Sequence, residues 1–147
     1  QLAQAQELAD ALSAERVLLP VEQDPSAAVL LGDLRRFGAL AEVGLTDPLG
    51  LFAAGEVARE RLGAPVLSRG LYLAYADSGS DDPWISKALL AALALTPDEG
   101  GRAWLRGRLE ARAGNPYVLA SRGEPAPGIE ALEEELARRL QEIVRTP

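Results

Sequence analysis

The chain has 147 residues, of which 48% are hydrophobic, and a formal net charge of −7 at neutral pH. This length fits a single domain with a sizeable core, and the negative charge disfavours nucleic acid and anionic membrane surfaces as partners. The absence of Cys and His excludes disulfides, thiolate nucleophiles, imidazole-based catalytic triads and the commonest transition-metal ligand.

Pairs of a capping residue followed by proline recur along the chain and indicate helix starts. The capping oxygen accepts a hydrogen bond from a free first-turn amide, and proline fits the first helical position because it lacks an N–H. The pairs are Asp24-Pro25, Asp47-Pro48, Asp82-Pro83, Thr96-Pro97 and Asn115-Pro116. They predict helices near 2–18, 25–43, 48–62, 65–76, 83–95, 97–113 and 128–145, with left-handed caps at Gly63 and Gly114.

Two of these helices have a distinctive apolar pattern. Residues 88–95 are apolar on all sides, which predicts a central helix covered by its neighbours, but they are far short of the roughly 20 residues that a transmembrane helix needs. The C-terminal helix, 128–145, has apolar residues at three- and four-residue spacing, so it is expected to be amphipathic. Residues 123–128, rich in Pro and Gly, are expected to form the linker before it.

The resulting prediction is one mainly α domain over 1–147, an irregular orthogonal bundle of about six or seven short helices. An α+β fold with a small sheet is the alternative, because the short apolar runs 16–21, 71–76 and 117–121 could also be strands. A helical-hairpin repeat is less favoured: the prolines are almost regularly spaced, but the side-chain pattern does not follow them.

The turn 77–82 contains Asp77, Asp81 and Asp82, a weak candidate cation site. Carboxylates and hydroxyls on a flexible loop suit Ca²⁺ or Mg²⁺. The segment lacks the alternating acidic positions of an EF-hand, and Asp82 is already expected to cap a helix, so a plain polar turn is the favoured interpretation.

Four arginines at i,i+4 spacing, Arg102, Arg106, Arg108 and Arg112, form the densest positive segment. Guanidinium groups bind carboxylate and phosphate bidentately, so this face is a weak candidate for docking an acidic partner; an ordinary solvated helix face is the favoured alternative.

Trp84 and Trp104 are further candidate binding residues, although their apolar neighbours are typical of a core. Exposure of either ring would favour an interface.

No catalytic residue can be assigned. Acid–base chemistry would have to use carboxylates, and no pair is singled out among candidates such as Glu56 and Glu110. Ser86 and Lys87 are adjacent on a helix, so their side chains point about 100° apart and do not suit a dyad.

The predicted function is a non-catalytic protein-interaction or assembly module with a protein partner, no nucleic-acid partner and no cofactor. The alternatives are a carboxylate-dependent all-α hydrolase and a stabilising domain of a larger protein.

The chain starts at Gln1 rather than Met. This start fits a removed secretory signal as well as a domain excised from a longer chain, so the compartment and the oligomeric state are left open. The strong excess of Arg over Lys is compatible with a thermophilic source or a GC-rich genome.

Overall fold

The computed structural model describes residues 25–145 of the chain. These residues form seven α-helices and no strand: α1 (Pro25–Val43), α2 (Leu49–Glu60), α3 (Pro65–Ala76), α4 (Ile85–Ala94), α5 (Glu99–Glu110), α6 (Pro116–Ser121) and α7 (Ile129–Arg145). The predicted mainly α fold is therefore confirmed. None of these helices is long and apolar enough to cross a membrane.

The chain divides into two compact units, the first ending at Leu71 and the second beginning at Tyr72. The prediction of a single domain over 1–147 stays a prediction. In the first unit α1 packs against α2, with Phe37 and Phe52 almost completely buried. The Ser68 hydroxyl donates a buried hydrogen bond to the Gly55 carbonyl oxygen at 2.8 Å, which joins α3 to α2.

Helices α1 and α2 approach closely where α1 ends and α2 begins. A Cβ atom built on Gly50 would lie 2.6 Å from the Gly44 nitrogen and 2.9 Å from the Leu40 carbonyl oxygen. The Asp47 carboxylate accepts a hydrogen bond from the Leu49 amide at 3.1 Å, as expected of a capping residue. Glycine at position 50 thus allows the two backbones to meet.

In the second unit α4 packs against α5 and α6. Ile85, Ala88, Leu89 and Ala92 form its fully buried side, in agreement with its predicted place in the core. The opposite side is only half-buried, and Ala94 is exposed. The expectation that neighbours cover this helix on every side is therefore wrong, since the helix is short and packs mainly through one face.

The helix-start predictions differ in outcome. Asn115 caps α6 as expected, accepting from the Tyr117 amide at 2.9 Å. Helix α5 starts at Glu99 because Asp98, rather than Thr96, is its cap and accepts from the Gly101 amide at 2.7 Å. The Thr96 hydroxyl donates instead to the Ala92 carbonyl oxygen. Asp82 does not cap α4 with its side chain, which accepts from the Tyr75 hydroxyl.

The predicted helix ends are partly confirmed, and the strand alternatives are not. Gly63 has a left-handed φ of +58°, as predicted, whereas Gly114 is not left-handed because α5 already ends at Glu110. The strand alternatives at 71–76 and 117–121 are wrong: these residues lie in α3 and α6, each of which begins with a proline. The predicted helix 2–18, the strand candidate 16–21 and the cap Asp24 lie outside the described residues.

Candidate protein-interaction surface

Helix α5 presents an uncharged face to solvent. Its opposite side carries Leu105 and Leu109, which are buried. The exposed side carries five residues whose helical spacing places them together, and we call this surface the Trp104 face: Gly100, Ala103, Trp104, Gly107 and Ala111. Apart from the tryptophan, every residue of this face is glycine or alanine.

Trp104 is 54% exposed. Among residues 72–145 the only other large hydrophobic side chain that is exposed is Val144, also at 54%. Large exposed aromatic rings are uncommon on isolated protein surfaces and are enriched at binding hot spots. Because the Trp104 ring is exposed, it favours an interface at this residue, as stated above for either tryptophan.

The Trp104 ring is held in position from one side. The Arg108 guanidinium lies 5.3 Å from the ring centroid, and its Nη1 donates to Asp77 Oδ1 at 2.8 Å. A cation over an indole face is attractive by about 0.5–1 kcal/mol at an exposed site. The ring therefore projects from α5 in a pre-organised orientation.

The four predicted arginines do not form one free cationic face. Arg102 donates to the carbonyl oxygens of Leu93 and Thr96, both at 3.3 Å, so it satisfies the end of α4. Arg106 donates to Glu99 Oε1 at 2.7 Å, and this contact lowers the pKa of the Glu99 carboxyl group.

Of the four, Arg108 is engaged by Asp77, as described above. Arg112 is half-buried, and its side chain makes no hydrogen bond or ion pair to any residue between 25 and 145. Arg106 and Arg108 are paired with carboxylates, so only half of the predicted positive charge is left to attract an acidic partner.

Trp84, the other candidate binding residue, is in the core with 3% exposure. Its indole Nε1 donates to the Leu132 carbonyl oxygen at 3.0 Å, and the Arg139 guanidinium lies 5.9 Å from its ring centroid. Both partners belong to α7, so the visible role of Trp84 is to hold that helix.

The carboxylates proposed as cation ligands have different surroundings. Asp77 pairs with Arg108, and Asp82 Oδ2 accepts from the Tyr75 hydroxyl at 2.9 Å. Asp81 is exposed. Within 25–145 no group of three or more carboxylates is arranged to hold a metal ion, and the cation site stays a prediction.

A polar cluster that the sequence did not indicate joins α4, α6 and α7. Lys87 Nζ donates to both carboxylate oxygens of Glu133 at 2.9 and 3.0 Å and lies 5.7 Å from the centre of the Tyr117 ring. The Tyr117 hydroxyl is buried without a hydrogen-bond partner. Burial, and then the negative charge of Glu133, raise the pKa of Tyr117 well above its ordinary value.

The residues considered for catalysis are also engaged or isolated. Glu56 and Glu110 form ion pairs with Arg59 and Arg122. The Ser86 hydroxyl is buried and unpaired, while Lys87 binds Glu133, so the two do not interact as a dyad.

No protein-family model, curated protein or solved structure matches the chain.

Proposed function

We propose that this chain is a non-catalytic protein-interaction module that docks a protein partner through the Trp104 face. The observation that carries the proposal is the half-exposed Trp104 ring, fixed by Arg108 on a helix face without charged residues. A face of this composition offers a partner one large apolar anchor, and the guanidinium beside the ring is already paired with Asp77.

The size of the anchor is sufficient for a binding hot spot. A tryptophan side chain buries up to about 250 Å², so covering its exposed half removes about 130 Å² from water, worth about 3 kcal/mol. Since Arg108 already restricts the ring, little rotamer entropy is lost on docking.

The small residues beside the ring let a partner approach the helix backbone. A Cβ atom built on Gly107 would meet no atom within 4 Å, so the space above this glycine is open. Gly100, Ala103 and Ala111 extend the same low surface along the helix. Trp104 lies beside these small residues on the same face of the helix.

The direct test is Trp104→Ala, compared with Val144→Ala. Val144 has the same 54% exposure and lies in the same unit, so it controls for general loss of exposed apolar surface. Both tagged variants and the wild type are used for native co-purification from the source organism, with quantitative mass spectrometry of the eluates.

We expect Trp104→Ala to weaken binding of a stoichiometric partner about 30-fold, the effect of a 2 kcal/mol hot spot, and Val144→Ala to leave it unchanged. Equal recovery of partners by all three proteins would contradict the proposal. Circular dichroism of each variant shows that the helices are retained.

A second pair of variants separates binding from stability. Gly107→Ala adds a methyl group to the open surface beside Trp104, and Gly32→Ala makes the same change on the exposed side of α1, where a Cβ also meets nothing within 4 Å. Both should stabilise the fold by about 0.5–1 kcal/mol, because alanine favours helix over glycine. Only Gly107→Ala should reduce partner binding.

A further inference from the structure

Helix α7 is connected to α6 by a mostly exposed linker. Residues 123–128 are exposed except for the half-buried Ala126, and none of their side chains forms a hydrogen bond or an ion pair to any residue in 25–145. Gly123 and Gly128, at the two ends, have left-handed φ angles of +73° and +89°. Pro125 and Pro127 lie between them and prevent α6 from continuing into α7.

Helix α7 buries Leu136 and Ile143 and is also held by three specific contacts with residues before the linker. Trp84 Nε1 donates to the Leu132 carbonyl oxygen, Lys87 binds Glu133, and Arg139 lies over the Trp84 ring. All three contacts join α7 to residues 84–87. An α7 from a second copy would make the same contacts with the same geometry.

Helix α7 also has internal support that does not depend on these contacts. Arg138 bridges Glu135 and Glu142 on neighbouring turns, and Glu130 lies in the first turn, where a negative charge is favourable. Isolated helices shorter than about 12–15 residues are only marginally stable in water, and α7 has 17 residues. It can therefore move as a unit.

We propose that α7 exchanges between two copies of this chain, each α7 occupying the position next to Trp84 and Lys87 of the other copy. Because the exchanged contacts are identical to those within one chain, the extra cost of the exchanged dimer is mainly the lost freedom of association, and concentration favours it. The partner is a second copy of the chain, and the proposal does not depend on the Trp104 face.

The test uses single cysteines, because the chain has none of its own. Lys87→Cys is made in one chain and Glu133→Cys in a second chain of different mass. The two are mixed at high concentration and treated with a short bis-maleimide, because long side chains that meet at their tips place their Cα atoms too far apart for a disulfide. The length of the cross-linker is set with a chain that carries both cysteines.

Exchange predicts a covalent heterodimer in which residue 87 of one chain is linked to residue 133 of the other, as located by peptide mass spectrometry. The exchanged heterodimer also restores one native Lys87–Glu133 pair that each separate chain lacks. The matched control replaces Glu133→Cys by Gln141→Cys, which is exposed on the same helix two turns further along.

We expect the 87–133 link to form about tenfold more than the 87–141 link, equivalent to 1.4 kcal/mol of preference. Equal yields of the two links, or no 87–133 heterodimer, would overturn the proposal. Adding Trp104→Ala to both chains should leave the 87–133 link unchanged, which distinguishes α7 exchange from association through the Trp104 face.

Discussion

Replacing Gly50 with alanine adds a methyl group where the start of α2 lies close to the end of α1 and the residue that follows it. The new Cβ atom would lie 2.6 Å from the Gly44 nitrogen, 2.9 Å from the Leu40 carbonyl oxygen and 3.0 Å from the Gly44 Cα atom. Ordinary contacts begin at 3.4 Å, so the backbones must separate by about 0.8 Å. All three atoms belong to the backbone, and no side chain can rotate to make room.

The magnitude follows from two opposing terms. Forcing an extra methyl group into a close-packed contact typically costs about 1–3 kcal/mol. Replacing glycine by alanine in a helix raises the free energy of unfolding by at most about 1 kcal/mol, and by less near a helix start such as this one. We expect Gly50→Ala to lower the free energy of unfolding by about 1–2 kcal/mol.

The assay is urea unfolding followed by far-ultraviolet circular dichroism, with Gly32→Ala as the control. That substitution also lies in a helix of the first unit, but its Cβ meets nothing within 4 Å, so the free energy of unfolding should rise. If Gly50→Ala is as stable as the wild type or more so, the close approach of α1 and α2 at Gly50 is refuted.

Three further outcomes follow from contacts in the second unit. Asn115→Ala should lower the free energy of unfolding by about 1–3 kcal/mol, more than Asp98→Ala, because it removes both a cap and the hydrogen bond to the Pro83 carbonyl oxygen; equal losses in urea unfolding would argue against that second bond. Tyr117 has a raised pKa in the folded state, so the stability it contributes is present below its unfolded pKa of 10.0 and is lost as the pH rises above that value. Tyr117→Phe should therefore reduce the fall in the free energy of unfolding above pH 10.0, and an unchanged slope in alkaline denaturation would contradict this. Millimolar Ca²⁺ or Mg²⁺ should leave the melting temperature unchanged, since Asp77 is paired with Arg108, whereas a rise lost in Asp77→Asn would support a cation site.

The helices could be predicted from sequence because local rules determine them. Pro25, Pro65 and Pro116 are the first residues of α1, α3 and α6, where a fixed φ and a missing N–H have no cost. The start of α5 was placed two residues early, because Thr96 and Asp98 both suit a cap. The Thr96 hydroxyl bonds back to α4, a contact that no local rule predicts.

The candidate surface was partly predictable. Leu105 and Leu109 mark the buried side of α5, and the glycines and alanines opposite them indicate where Trp104 is exposed. The partners of the arginines were not predictable. Arg108 pairs with a residue 31 positions away, and the acceptors of Arg102 are backbone carbonyl oxygens, so both depend on how the helices pack.

The ion pairs beside the Trp104 face have a kinetic consequence. Arg106 with Glu99, Arg108 with Asp77 and Arg122 with Glu110 neutralise the local charge within the protein. The charges beside this face are therefore paired and do not themselves steer a partner. The net charge of −7 still acts on a charged partner, so we expect an association rate of about 10⁵–10⁶ M⁻¹s⁻¹, nearly independent of ionic strength, only for a partner without net charge. For such a partner selectivity must come from the dissociation rate, that is, from how well it fits the indole ring and the bare helix beside it.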